Sequence, residues 1–88
     1  MNWSTNLAAA GNTHNPCLLI LQSKGYTLWA EDDNKSMTWY ASKNACRFVA
    51  DTPAELLGIV VLWETYGNDW NRQKPDLLGE VLESSIEL

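Results

Sequence analysis

The sequence predicts a single α+β domain: a small antiparallel β-meander of three to four strands, one central buried helix, and a C-terminal amphipathic helix. Three observations carry this. Residues 37–50 alternate apolar and polar side chains around a short polar break, the pattern of a half-buried hairpin. Asp51-Thr52-Pro53-Ala54-Glu55 is a helix-start signature that opens onto an apolar run. The chain has 88 residues, 45% hydrophobic and 19% charged, with no internal repeat or long linker, so the elements share one core.

Taken in order, residues 1–15 are polar and rich in Asn and Thr. Ser4 or Thr5 is placed to cap a short helical turn over residues 7–10 that ends at Gly11. Asn15-Pro16 reads as a turn, because a residue before proline is pushed out of the helical region. The apolar run Cys17-Leu18-Leu19-Ile20-Leu21-Gln22 has no decisive period. Its length and the following Gly25 favour a strand buried on both faces. Ser23-Lys24-Gly25 fits a three-residue hairpin loop with Gly25 left-handed. The next strand, residues 26–31, puts Tyr26, Leu28 and Ala30 on one face and Thr27, Trp29 and Glu31 on the other.

In the 37–50 hairpin, a Lys43-Asn44 loop sets Ala41 opposite Cys46, Trp39 opposite Phe48 and Met37 opposite Ala50. Those pairs form the apolar face, and Trp39 with Phe48 anchors the register. The helix of residues 52–66 is capped by Thr52, begun by Pro53 and stopped by Gly67. Its apolar side chains run nearly all round, so cover is expected on more than one side: the sheet, then the C-terminal helix or a second copy of the chain. Pro75 opens the last helix, to Ser84, with Leu77, Leu78, Val81 and Leu82 in a stripe. Asp76, Glu80, Glu83 and Glu87 form a ridge on its opposite side.

The net charge is −5, and it is unevenly spread: residues 1–50 carry +1 and residues 51–88 carry −6. No basic face is available for a phosphate backbone, so nucleic acid is not an expected partner. No apolar run approaches a membrane span. The first sixteen residues hold no Lys or Arg and no apolar stretch, so no secretory signal is expected and the cytoplasm is the expected compartment. Two cysteines, Cys17 and Cys46, make neither a disulfide framework nor, with one histidine, a structural zinc site. Reduced thiols are expected, with a single bridge the alternative in an oxidising compartment.

Catalytic groups are sparse. His14 lies three residues before Cys17, but both cysteines fall within apolar strand patterns, which suits inert thiols. Glu31, Asp32 and Asp33 read as a solvated connection. Asp69, Asn71, Gln73 and Glu80 faintly echo a calcium loop, but Lys74 stands where that loop needs glycine. No phosphate-binding glycine motif occurs. No catalytic, metal or cofactor site is therefore expected.

Surfaces remain. Glu83 and Glu87 crowd the negative end of the last helix, where cations would be favoured. Beside them Trp70 stands in the polar segment 67–74, with Asp69 next to it. The expected partner-binding set is Trp70, Asp69, Asp76, Glu80, Glu83 and Glu87, facing a protein with a basic surface. Trp3 and Trp29 are further anchor candidates, while Trp39 and Trp63 fit the core. The alternative is a homo-oligomer, such as a homodimer, that uses the helix 52–66 as its interface.

The layout Asn15-Pro16-Cys17-Leu18-Leu19-Ile20-Leu21, Lys24-Gly25-Tyr26, Phe48-Val49-Ala50-Asp51-x-Pro53-x-Glu55-Leu56-Leu57-Gly58, Trp63-Glu64 and Gly67-x-Asp69-Trp70 resembles small bacterial proteins with no activity to transfer. In size, acidity and lack of catalytic groups the chain is also similar to immunity proteins, which neutralise a cognate toxin by binding it. That second likeness implies a non-enzymatic binding function.

Overall fold

A computed structural model describes residues 3–86, with the side chain of Ile86 excepted. The order is a 3-10 turn Gly11–Thr13, α1 His14–Ser23, β1 Thr27–Asp32, β2 Met37–Lys43, β3 Cys46–Ala50, α2 Pro53–Tyr66, a second 3-10 turn Gly67–Asp69, and α3 Leu77–Ile86. The class is α+β, with a three-stranded antiparallel sheet in the order β1-β2-β3. Both α1 and α2 pack on the sheet and on each other, α1 against β1 and α2 against β2 and β3.

The first correction concerns residues 17–22, which form a helix and not a strand; the sheet therefore has three strands. Pro16 is the third residue of α1, where its missing N–H is one that a helix start leaves unpaired anyway. His14, Cys17, Leu18 and Leu21 lie on the inward side, and Leu21 is fully buried. Gly25 is left-handed as expected (φ +95°), but it ends a helix and does not turn a hairpin. The amide of Tyr26 donates to the Leu21 carbonyl (3.1 Å) and that of Gly25 to Gln22 (3.0 Å), a Schellman termination. The short helix expected over residues 7–10 is absent; the chain there is irregular before the turn at Gly11.

The second correction is the hairpin register. The loop is Asn44-Ala45, with both residues at positive φ (52° and 67°), the type I′ geometry that matches strand twist. Asn accepts that conformation far better than Lys43 would. Ala41 therefore pairs with Phe48 and Trp39 with Ala50, setting a small residue opposite each large one. The shift preserves which side chains face inward. Phe48 meets aromatic partners from other elements instead: Tyr26 at 5.9 Å and Trp63 at 5.6 Å between centroids, both edge-to-face.

The core is Leu21, Tyr26, Ala41, Phe48, Leu56 and Val60, with Trp39, Leu57, Ile59 and Trp63 packed against it. Helix α2 begins as expected. The Thr52 hydroxyl accepts from the Glu55 amide (3.1 Å) and donates to the Glu55 carboxylate (3.2 Å). Gly67, at φ +65°, ends it. The helix is buried on one side only, however: Val61, Leu62 and Tyr66 remain exposed. Helix α3 does not close that side, because its own apolar residues Leu77, Leu78, Val81 and Leu82 are all more than half exposed.

Candidate functional site

The sequence-derived acidic surface is positioned by the segment after Gly67 and by α3. Asp76 stands just before α3 and its Oδ1 accepts from the Gly79 amide (3.2 Å). It thus serves as the helix cap, and α3 begins at Leu77, two residues after the Pro75 start that the sequence predicts. Glu80 and Glu83 are solvent-exposed on α3, across the helix from the Leu77, Leu78, Val81 and Leu82 stripe. Glu87 lies outside the described residues. Asp69 is exposed and has a distant cation in Arg72, 3.9 Å away. Its carbonyl accepts from the Gln73 amide group (2.9 Å), so this segment is held by its own backbone.

Trp70 differs from expectation. It is half-buried and, with Trp63, Ile59, Phe48, Val49, Cys46 and Arg47, lines a concavity of about 370 Å³. It faces the side of the sheet and is not an isolated tip. Trp29, the other anchor candidate, lies on the open sheet face stacked on Tyr40 at 5.1 Å and 2°. Trp3 is exposed.

The groups weighed for chemistry have structural duties or no partner. His14 and Cys17 are neighbours one turn apart on α1, both half-buried. Both cysteines are free thiols. Asp32 and Asp33 hold the β1–β2 connection: Asp32 accepts from the Asn34 amide (2.9 Å), and Asp33 from those of Ser36 (2.9 Å) and Lys35 (3.2 Å). Those amides, Ser36 foremost, keep the Asp33 carboxyl below its usual pKa. No cluster of three or more His, Cys, Asp or Glu suited to a metal occurs among the described residues. No helix among them is long and apolar enough to cross a membrane.

One polar cluster escaped the sequence reading. Glu64 on α2 accepts from the Lys24 ammonium (2.9 Å) at the end of α1 and from the Tyr26 hydroxyl (2.9 Å). Lys43 lies over the Tyr26 ring, 5.3 Å from its centroid, and donates to the Lys24 carbonyl (2.7 Å). Burial first, and then Glu64, push the Tyr26 phenol up to about 12. Lys24, and then Tyr26, draw the Glu64 carboxyl below its ordinary value. The cluster joins the α1–β1 connection (Lys24 and Tyr26) to β2 and α2, segments distant in sequence, which is why no local pattern announced it. Every charge in it has a partner, the mark of a fastening and not of a reactive centre.

No protein-family model matches this chain, and comparison with curated proteins and with solved structures gives no significant match.

Proposed function

We propose that this chain is a small, acidic, non-enzymatic binding protein that engages a basic protein surface through α3 and the Trp70 segment, as an immunity protein or inhibitor would. One observation carries the reading. The Leu77, Leu78, Val81 and Leu82 stripe stands open to solvent on one face of α3, Glu80 and Glu83 line the opposite face, and Asp69 and Asp76 mark the approach to its first turn. An amphipathic helix presented in this way suits a groove on a partner. The stripe would supply buried area, and the carboxylates would steer encounter and reject acidic surfaces. The −6 balance of residues 51–88 favours a cationic protein partner and disfavours nucleic acid. We place this action in the cytoplasm, in keeping with two free thiols.

The test uses a partner isolated from the host and then purified. Its affinity should fall with added salt, and Glu80→Lys with Glu83→Lys should weaken it at least ~10-fold, about 1.4 kcal/mol. Binding unchanged by that double reversal rejects the reading.

A second reading has its own support. Val61, Leu62 and Tyr66 lie exposed on α2 and would be covered by another copy of the chain in a homo-oligomer. Sedimentation that shows only monomer at micromolar concentration removes it.

A further inference from the structure

We propose that the free edge of β3, together with the groove between it and α2, is an acceptor site for an extended segment of a partner protein carrying two apolar residues and a basic residue in alternate positions. This surface shares Trp70 with the reading above but uses no residue of α3, so the inference goes beyond that reading and does not depend on it.

Among the described residues β3 pairs only with β2, and the other edge of the sheet is β1. The two-residue turn makes Lys43 and Cys46 a hydrogen-bonded pair, and alternation then assigns the same to Ala41 with Phe48 and Trp39 with Ala50. The N–H and C=O of Arg47 and Val49 therefore point away from the sheet, ready to pair with an added strand. Two concavities run beside that edge. One, of about 370 Å³, lies at the Trp63 and Trp70 end. The other, of about 510 Å³, is lined by Val49, Ala50, Gly58, Ile59 and Leu62 and ends at Asp51 and Glu55. Val49 and Ile59 border both, so the two form one trough.

The trough has a polarity that selects its occupant. Trp63 and Trp70 make one end aromatic, whereas Asp51 and Glu55 make the other acidic, with no ion-pair partner for either among the described residues. Its floor is open at Gly58, where an added Cβ would meet nothing within 4 Å. In an antiparallel strand, a basic side chain opposite Ala50 would reach Asp51 and Glu55. The inward residue opposite Phe48 would lie against Ile59 and Leu62, and the one opposite Cys46 would lie against Trp63 and Trp70. The intervening residues, opposite Val49 and Arg47, would exchange backbone hydrogen bonds with the free edge.

The probe is the peptide acetyl-Thr-Lys-Thr-Leu-Thr-Val-Thr-amide at about 1 mM, and the readout is amide hydrogen exchange resolved by NMR. The peptide should slow exchange of the Arg47 and Val49 amides at least ~10-fold while leaving Phe48, already paired to β2, little changed. N-methylation of the two central threonines should abolish the effect, and Glu in place of Lys in the peptide should weaken it at least ~5-fold. Gly58→Leu fills the floor of the trough at an open helix position, so it should raise the melting temperature and remove the protection. Glu80→Lys with Glu83→Lys should leave peptide protection intact even where it abolishes binding through α3.

Three outcomes overturn the proposal. The first is no slowing by the unmodified peptide, and the second is slowing that survives in folded Gly58→Leu. The third is concentration-dependent protection of Arg47 and Val49 in the protein alone, which would give the edge to a second copy of the chain.

Discussion

At the scale of single residues, Glu64 makes side-chain hydrogen bonds that reach 38 and 40 positions along the chain. It accepts from both Lys24 and Tyr26, so α1, the start of the sheet and α2 meet on one carboxylate. Its folded pKa lies below the unfolded one, so its contribution to stability is present above the ordinary carboxylate range and is lost as pH falls through the folded value. Denaturant titrations over roughly pH 3–6 should therefore show a shallower acid-side fall in stability for Glu64→Gln than for the parent. Tyr26 has the opposite sign. With its phenol held at about 12, its contribution is intact below the ordinary tyrosine value and declines as pH rises toward the folded one. In absorbance at 295 nm, the parent should show a late tyrosine ionisation that Tyr26→Phe lacks. Glu31 beside Tyr40 raises that phenol too, so the difference between the two proteins is the measurement. Loss of the late phase from Tyr40→Phe instead would mean that Glu64 does not hold Tyr26.

At the scale of elements, the two hairpin turn residues show how sequence and structure differ. Ala45 sits at φ +67°, where a Cβ costs roughly 1 kcal/mol that glycine would not incur. Ala45→Gly should therefore raise unfolding free energy by about 0.5–1 kcal/mol in denaturant melts, and a loss would show that the loop is not Asn44-Ala45. The α2 start, the Gly67 stop and the inward face of β1 were all legible, because caps and alternation are local signals. The strand assigned to residues 17–22 was misread because the apolar run overshoots the helical face: Leu19 and Ile20 are exposed on α1. The useful signal was the spacing of His14, Cys17, Leu18 and Leu21, followed by the Gly25-Tyr26 termination. Of the candidate site, the placement of Glu80 and Glu83 on the face of α3 away from its leucines was readable from spacing alone. The trough beside β3 was not, since it depends on residues 46–50 and 55–63 meeting through the tertiary fold.

At the scale of the whole molecule, the described chain is more open than its length requires. Its radius of gyration is 16.0 Å, whereas a compact domain of this length has about 12 Å. Its accessible surface is 7203 Å² for 9.9 kDa, against about 5,200 Å² for a compact monomer of that mass. The excess is of the order that a standard protein interface removes from two partners. Exposed apolar side chains contribute to it, on α3, on the outer side of α2, at Leu19 and Ile20 of α1, and at Trp3 and Leu7. A chain with so small a core gains little by leaving such surface wet, since each such side chain fully covered contributes roughly 1.5–3 kcal/mol. Small-angle scattering of dilute monomer should therefore return a radius near 16 Å and contract little with salt. A value near 12 Å would mean that α3 folds back over Val61 and Leu62, burying the stripe that is proposed to meet a partner. Leu78→Ser with Leu82→Ser separates these cases by denaturant melt. It should change monomer stability by well under 1 kcal/mol if α3 stands free, whereas truncating two covered leucines would cost several.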